Sequence, residues 1–455
     1  MKPLLTSLVV ISSALCLRSD KFTLSEINFS PPPKVFLSRV RGGSEVQSRR
    51  TTLTSILPPK GGRGSYERSP RAGCFQKRFS AYSPLKDSIL GLMAEKQSTN
   101  RRFQSSDLES FVARALTAVG LSGADAEQVA RLMILADLRG SDGHGIFRLP
   151  QYIRRIRAGG INLRPNIHIV QETDATALVD GDNGMGHLVM RFATRVAMEK
   201  ADRSGIGWVG VQRSNHAGPA ALYAMMPLER NMIGIYLAVG SANHMPPWGG
   251  VELLLSTNPI AFAIPSFEEP PIVLDIATSV AAYGKVKTKA QRGEPLPEGW
   301  MINPFGQPLT DPKRAEEGFL LPIGGYKGYG LALIFGLLAG TLNGAAFGRD
   351  VVDFNKDDKT LTNTGQVIVA LDVSRFSPVE TFKCNVDVVI REMKNSKKMP
   401  GVERIRIPGE QSHATWLERN AIGVPMNETL FKDLQRLGSE LNIDGLPYTT
   451  PAPSP

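Results

Sequence analysis

The 455-residue chain is poor in cysteine and has no recognisable metal motif. Cys16 and Cys74 lie in the first hundred residues, and Cys384 is the only cysteine beyond them. A single thiol excludes a disulfide framework and a cysteine-based zinc site from residues 106–455. No H-E-x-x-H or similar histidine spacing occurs either, so we expect no metal ion.

The chain also lacks the G-x-G-x-x-G fingerprint of the usual dinucleotide-binding fold. The nearest glycine cluster, GDNGMG at 181–186, has a different spacing and is typical of a turn. A nicotinamide coenzyme would therefore have to be held by another arrangement.

The excess of positive over negative charge is confined to the N-terminal quarter. Residues 1–105 hold 18 Lys and Arg against 6 Asp and Glu, whereas residues 106–455 hold 35 against 37. A nucleic-acid-binding domain needs a basic face of its own, so this balance argues against nucleic acid as a partner.

The N-terminal quarter has the composition of a targeting sequence. Its apolar run, Leu4–Leu17, is shorter than the about 20 residues that a membrane span needs, and a segment rich in Arg, Ser and Pro follows. A signal followed by a transit-like segment predicts import into a plastid of secondary origin, with a mitochondrial presequence as the alternative. A retained disordered tail, and a cytoplasmic protein, is the third interpretation. The apolar stretch Gly328–Ala346 contains several glycines and predicts a buried helix rather than a membrane anchor.

The rest of the chain has mixed α/β patterning. An S-x-x-E capping box at Ser106–Glu109 predicts the start of a helix, and a second helix is predicted from about Ala124 to Gly140. Further helices are predicted at Met190–Arg203, Gly328–Leu342 and Leu430–Leu441. Runs rich in Val and Ile predict strands at Trp208–Val211, Ile233–Val239, Ile260–Ile264, Ile272–Leu274 and Val367–Leu371.

Three loop regions carry residues suited to chemistry. The segment GGYKGYG at 324–330 combines glycines, Lys327 and a following helix N-terminus, which together suit an anion; a plain glycine-rich turn is equally compatible. His144 with Arg148, and His216 after a strand, suit proton transfer and carboxylate binding, although an isolated histidine is more often structural. We take the remaining histidines at 168, 187 and 413 as structural. Asp275, at the end of a strand, either binds a ribose hydroxyl, orients a histidine or caps a turn.

Taken together, nine segments in one order resemble the type-2 malate/L-lactate dehydrogenases, NAD(P)-dependent oxidoreductases that include ureidoglycolate and sulfolactate dehydrogenases and cyclic imino-acid reductases. The resemblance covers about residues 106–444. The segments are ADLRGSDGHGIFRLPQY from Ala136, SNHAGPAALYA from Ser214, PPWGG from Pro246, STNPIAFAIP from Ser256, IVLDIATS from Ile272, PEGW from Pro297, TDP from Thr310, LPIGGYKGYGLAL from Leu321 and IPGE from Ile407.

The resemblance implies a non-Rossmann α/β fold with a mixed or mostly antiparallel sheet and discontinuous domains. It implies a dehydrogenase body over 106–445, with helices from both chain ends packed together and a central dinucleotide-binding sheet domain at about 180–400. A targeting or disordered extension at 1–105 and a tail at 446–455 would flank this body. Homodimers or larger homo-oligomers, with the active site near a subunit interface, are implied as well.

The resemblance also implies hydride transfer between nicotinamide and C2 of a small 2-hydroxy or 2-oxo acid of the malate or lactate type. It assigns proton transfer to His216 or His144, and carboxylate binding to Arg148. His244 lies in a loop that departs from the family pattern and is expected to bind substrate. NAD or NADP is expected to contact Ser241, Asp275, Ile276, Ala277, Lys327 and Gly409.

One departure shifts the choice between the two histidines. Gly143 stands where the family commonly has a serine that would orient the first imidazole, which favours His216 as the proton-transfer residue. Two alternatives stay open. The protein is a reductase of cyclic imino acids, or it is a non-catalytic relative that binds the cofactor.

Overall fold

The computed structural model describes residues 101–447, apart from the side chains of Thr288, Gln291 and Arg292. Of the predicted targeting segment at 1–105, residues 1–100 lie outside the described residues. The fold begins before residue 106, because Arg101–Phe103 forms a strand (β1) paired with Val424–Met426 (β13). At the other end, Leu446 is buried in the core.

Ten helices occur in the described part of the chain. They are α1 (Ser105–Ala118), α2 (Gly123–Leu138), α3 (Leu149–Arg157), α4 (Gly186–Ser204), α5 (Ala221–Ala224), α6 (Tyr283–Arg292), α7 (Tyr326–Ala339), α8 (Val379–Asn395), α9 (Glu410–Ile422) and α10 (Glu428–Glu440). The predicted capping box is wrong, because α1 starts one residue before Ser106 and its N-cap Gln104 makes no side-chain capping bond. Residues 101–447 contain no helix that is both long and apolar enough to cross a bilayer.

Seven strands form the main sheet, in the order β2-β3-β4-β12-β5-β8-β9. They are β2 (His168–Glu172), β3 (Thr176–Asp180), β4 (Ile206–Ser214), β5 (Met232–Ala238), β8 (Ile260–Ile264), β9 (Ile272–Ile276) and β12 (Thr364–Asp372). Only β3 and β4 run parallel to each other. This mostly antiparallel mixed sheet confirms the predicted α/β class and the absence of a Rossmann arrangement.

Two small ribbons accompany the main sheet. One pairs β6 (Asn243–Met245) with β7 (Leu255–Ser256), and the other pairs β10 (Met301–Ile302) with β11 (Phe319–Leu320). The GDNGMG segment is the turn between β3 and α4, with Asp182 and Asn183 at φ 44° and 54°.

Successive side chains of each strand point to opposite faces of the sheet, and helices cover both faces. On β5, Tyr236 packs with α4 in one core cluster, whereas Leu237 packs with the α7 residue Ala339 in another. A third core contains residues from both chain ends, including Leu108 of α1 and Leu434 of α10. The loops that follow β4 and α2 carry the candidate site.

Candidate active site

The His144 loop is a pair of 3-10 turns, Asp142–His144 and Ile146–Arg148, between α2 and α3. Buried Asp137 at the end of α2 accepts a hydrogen bond of 2.8 Å from the backbone N–H of Ile146. Arg419 of α9 reaches across to the carboxylate of Asp142 and the carbonyl of Asp137. A helix from the C-terminal part of the chain therefore holds the loop that carries His144.

The His216 loop follows β4 and is held by the residue before the histidine. Asn215 is buried, and its side-chain NH₂ donates to the carbonyls of Asn183 and Gly184 at 3.0 Å each. A side chain at Gly186 would collide with the carbonyls of Asn215 and His216, so the N-terminus of α4 packs directly against this loop. The imidazole of His216 is thus presented from a rigid backbone.

The two histidines meet face to face. The ring centroids of His144 and His216 are 5.6 Å apart at an interplanar angle of 12°. Phe354 stacks against His216 at 5.2 Å, and the Tyr152 hydroxyl lies 2.6 Å from His216 Nδ1. Burial raises the pKa of Tyr152, so its phenol keeps its proton.

Arg148 completes the cluster, and only part of its guanidinium group is hydrogen-bonded within the protein. Its Nε donates to the Gly143 carbonyl at 2.9 Å, and Nη1 donates to Gln151 at 2.7 Å and to Asn355 at 3.2 Å. Nη2 has no hydrogen-bond partner within residues 101–447. A planar donor of this kind is suited to a carboxylate.

Both imidazoles are neutral at pH 7 in the absence of a bound anion. Burial, assisted by the positive charge of Arg148, lowers the pKa of His144 to about 4. The same two causes, with His144 as a third, place the pKa of His216 well below its ordinary value. Because each protonated ring would repel the other, the pair carries at most one proton. A neutral imidazole can accept a proton, as a general base must.

His244 lies on β6 and is joined to this cluster through the segment 353–355. Its ring stacks on Tyr283 at 4.2 Å and 9°, and burial lowers its pKa to about 4, against a smaller opposite effect of Asp353. Within that segment, Phe354 contacts His216 and Asn355 binds Arg148. This segment therefore contacts His216 and Arg148, and the charge of its Asp353 acts on His244.

Five residues of the coenzyme prediction lie around β9 and the start of β6. Asp275 accepts from the backbone N–H of Ala221 at 2.9 Å, and desolvation by the surrounding protein raises its pKa to about 6 against the opposite effect of that hydrogen bond, although part of the residue is accessible to solvent. Gly409 has φ 87° and packs so closely on Val273 that a side chain there would collide. The carbonyl of Ser241 accepts from the N–H of Phe354 at 2.9 Å. Ile276 at the end of β9 is 37% exposed, and Ala277 follows it.

Lys327 stands apart from the histidine cluster, at the start of α7. It is exposed and makes no hydrogen bond or ion pair with another described residue. The preceding Gly324 and Gly325 have φ of 60° and 66°, and a side chain at Gly324 would meet nothing within 4 Å. This open cradle at a helix N-terminus fits a phosphate group of a dinucleotide. The structure shows no contact between it and His216.

Several residues of the site were not predicted. Tyr152 lies four residues after Arg148 on α3, and that one-turn spacing was the signal that would have placed the two together. Phe354 and Asn355 are more than 200 residues from Arg148 in sequence, and no local pattern marks them.

The other three histidines, interpreted as structural, lie in different surroundings. His168 bonds the carbonyl of Asn166 at 2.8 Å and His413 stacks on Trp416, as structural residues do. His187 is fully buried, but neither ring nitrogen has a partner among the described residues. It packs edge-on to Tyr152 with centroids 5.6 Å apart, which places it directly behind the site.

The comparisons with known proteins agree with this architecture. The family model described as malate/L-lactate dehydrogenase matches residues 103–435. The chain belongs to this family. It is 41% identical to a malate dehydrogenase of Pyrococcus abyssi over 76% of this chain and 96% of that protein, and 37% identical to a malate/(S)-sulfolactate dehydrogenase of Methanothermus fervidus over 74% and 96%. The solved malate dehydrogenase of Pyrococcus horikoshii superimposes with a TM-score of 0.71 at 35% identity, covering 76% and 97% of the two chains.

Other family members differ in substrate and coenzyme. An NAD⁺-dependent ureidoglycolate dehydrogenase of Escherichia coli K12 is 30% identical over 72% of this chain and 93% of that protein. An NADP⁺-dependent (2R)-3-sulfolactate dehydrogenase of Chromohalobacter salexigens is 32% identical over 70% and 93%. A solved delta1-piperideine-2-carboxylate reductase of Pseudomonas syringae has a TM-score of 0.66 at 27% identity, covering 74% and 99%.

Proposed function

We propose that the protein transfers a hydride between a nicotinamide coenzyme, NAD or NADP, and C2 of a small 2-hydroxy or 2-oxo acid of the malate or lactate type. The observation that carries the proposal is the neutral His216, bonded to Tyr152 and placed with Arg148 in one cluster. Membership of a family whose named members are dehydrogenases supports it.

In this reaction Arg148 binds the substrate carboxylate through its uncommitted Nη2. His216 takes the hydroxyl proton when the hydroxy acid is oxidised and returns it in the reverse direction. With a proton on Nδ1, the His216 ring donates to the Tyr152 oxygen, and Nε2 is then the free base. The Tyr152 contact holds the ring in place in either tautomer, and only the tautomer with the proton on Nδ1 leaves Nε2 free to act as the base.

A bound carboxylate also tunes this base. Arg148 lowers the pKa of His216, and a substrate carboxylate that neutralises Arg148 removes that effect. The pKa of His216 therefore rises toward the range of a general base when substrate binds. His144, stacked on His216, is the alternative proton carrier, and we place His244 at the substrate.

The coenzyme supplies the hydride acceptor or donor. Its proposed contacts are Ser241, Asp275, Ile276, Ala277, Lys327 and Gly409. Lys327 and the backbone of Gly324 and Gly325 before it would hold a phosphate, and the carboxylate of Asp275 would accept from a hydroxyl.

A second candidate is reduction of a cyclic imino acid, favoured by the likeness to the delta1-piperideine-2-carboxylate reductase. Arg148 would bind the substrate carboxylate in the same way, and the proton would be transferred to the imine nitrogen.

The test offers the purified protein each coenzyme with malate, lactate and other 2-hydroxy or 2-oxo acids, and with cyclic imines, and follows nicotinamide absorbance. We expect turnover with a hydroxy-acid pair. Turnover only with imines would establish the second candidate instead. Coenzyme binding by calorimetry without turnover on any compound would identify a non-catalytic relative.

A further inference from the structure

The guanidinium of Arg148 is held by uncharged groups. Its hydrogen bonds go to the backbone carbonyl of Gly143 and to the side-chain oxygens of Gln151 and Asn355. Arg148 forms no ion pair with a carboxylate in the described part of the chain. Burial lowers its pKa, and the smaller opposite effect comes from Tyr152 rather than from an acidic residue. The positive charge of Arg148 is therefore left uncompensated by the described protein.

Other arginines of the chain show the contrasting arrangement. Arg419, on α9, binds the carboxylate of Asp142. Arg213, at the end of β4, binds the carboxylate of Asp180 at 3.0 Å. Taking a charge out of water costs free energy unless an opposite charge and hydrogen bonds compensate it. Arg148 has the hydrogen bonds without the opposite charge, which makes its surroundings those of an anion-binding residue.

Gln151 is oriented toward Arg148 by the segment 353–355. Only 8% of its surface is exposed. Its Nε2 donates to the carbonyl of Phe354 at 2.7 Å, and its Oε1 accepts from Arg148 Nη1 at 2.7 Å. In an amide only the nitrogen donates and only the oxygen accepts, so these two partners decide which end faces Arg148. Turning the amide away would break two hydrogen bonds in a buried place.

Asn355 is oriented in the same manner by Asp353. Oδ1 of Asp353 accepts from the backbone N–H of Asn355 at 2.9 Å and from its Nδ2 at 3.2 Å. The amide oxygen of Asn355 is thereby left for Arg148 Nη1, at 3.2 Å. An amide thus stands between the carboxylate of Asp353 and the guanidinium, and these two charged groups form no ion pair with each other.

We propose that Gln151 and Asn355 are positioning residues for the substrate carboxylate, which fix the guanidinium of Arg148 without compensating its charge. With Nε and Nη1 of Arg148 occupied, Nη2 is the donor that remains for a ligand. A carboxylate in place of either amide would still accept from Arg148, but it would supply the negative charge that the substrate has to supply. This role rests on the proposed function, because it takes the bound anion to be the 2-hydroxy or 2-oxo acid.

The experiment measures anion binding separately from turnover. Oxalate, a small carboxylate that carries no hydride to transfer, is titrated calorimetrically into the full-length protein in the presence of coenzyme. Steady-state kinetics give KM and kcat for the 2-oxo acid that turns over best. For Gln151→Glu we expect oxalate affinity to fall roughly tenfold and KM to rise by a similar factor, because a charge-assisted contact is lost. Coenzyme affinity and kcat at saturating substrate should change less.

Two further variants separate charge from packing. Gln151→Met removes the acceptor without adding charge, so it should weaken oxalate binding less than Gln151→Glu does. Asn355→Asp adds charge from the other side and should act like Gln151→Glu. Gln128→Glu is the matched control, because Gln128 of α2 also accepts from an arginine, Arg191, outside this cluster. We expect it to change neither oxalate affinity nor KM, and circular dichroism checks that every variant is folded.

Three results would overturn this role. The first is an unchanged oxalate affinity and KM in both Gln151→Glu and Asn355→Asp. The second is an equal loss in Gln151→Met and Gln151→Glu, which would assign the effect to packing instead of charge. The third is a wild type that neither binds oxalate nor turns over a 2-oxo acid. A wild type that binds oxalate and turns over no hydroxy or oxo acid would contradict the proposed function alone, and the oxalate affinities of the variants would still decide the role of the amides.

Discussion

The substrate side and the coenzyme side of the candidate site are built differently. Around His216, rings and hydrogen bonds from four separate chain segments are already in contact, and the groups are largely enclosed. Lys327 and Asp275 instead face solvent, and Lys327 has no partner among the described residues. For the proposed reaction, this difference means that proton transfer depends on packing completed during folding, whereas coenzyme binding depends on charge that the ligand itself must neutralise.

The largest expected effect comes from removing the base. His216→Ala should lower turnover by roughly 10²–10⁴ while coenzyme affinity stays within a few-fold of wild type. Steady-state kinetics and calorimetric titration with coenzyme measure the two quantities separately. Unchanged turnover would transfer the role to His144, for which His144→Ala is the matched variant.

The converse change removes charge from the open side. Lys327→Ala should weaken coenzyme affinity roughly tenfold, because a charge-assisted hydrogen bond contributes about 1.5–3 kcal/mol, and turnover at saturating coenzyme should change less. Lys313, on an exposed turn elsewhere, is the control. If turnover fell more than affinity, the contrast between the two sides would be wrong at this residue.

The pH dependence sharpens the comparison on the substrate side. In the free enzyme the pKa of His216 lies well below its ordinary value, so kcat/KM for oxidation should hold its plateau down to a pH well below 6.5. In the complex a carboxylate neutralises Arg148 and raises that pKa, so kcat should fall at a higher pH as the medium is acidified. Coincident acid limbs in the two profiles would argue against Arg148 as the carboxylate ligand.

The smallest expected effect concerns stability behind the site. His187→Leu removes two buried nitrogens without partners and should raise the free energy of unfolding by about 1–2 kcal/mol at pH 7, measured in urea. Burial lowers the pKa of His187 in the folded protein to about 3. Between pH 6.5 and 3, His187 is therefore protonated in the unfolded chain but not in the folded one. The stabilisation by the variant should therefore grow between pH 6.5 and 3. His168→Leu, at an exposed and hydrogen-bonded histidine, should show neither effect.

Local patterns predicted the regular elements better than the contacts between them. The strand predicted at Ile260–Ile264 has the same first and last residues in the structure. The helix predicted at Leu430–Leu441 corresponds to α10 at Glu428–Glu440. The helices α3, α5, α6, α8 and α9 were not predicted. Along α3 the apolar pattern is interrupted by Arg155, which is buried while it donates hydrogen bonds to the backbone carbonyls of Gly160 and Thr360. A short window of sequence does not show that distant backbone carbonyls compensate a buried charge in this way.

The same limit applies to the site. His144, Arg148 and His216 were singled out because loop histidines and an arginine beside a histidine are chemically suited to an oxo acid, and the structure brings these three together. Tyr152 was within reach of helix spacing. Phe354 and Asn355 were not, because they meet the site through pairings far apart along the chain.

The amino-acid sequence by itself determined the fold class, the family and the chemical types of the residues that could act, since these follow from local periodicity and motifs repeated in one order. Only the tertiary structure decided that His216 is neutral, bonded to Tyr152 and stacked between His144 and Phe354. The reason is physical. Desolvation and ring contacts depend on which distant segments pack around a group, and in this protein α3, α4 and the 353–355 segment converge only when the chain is folded.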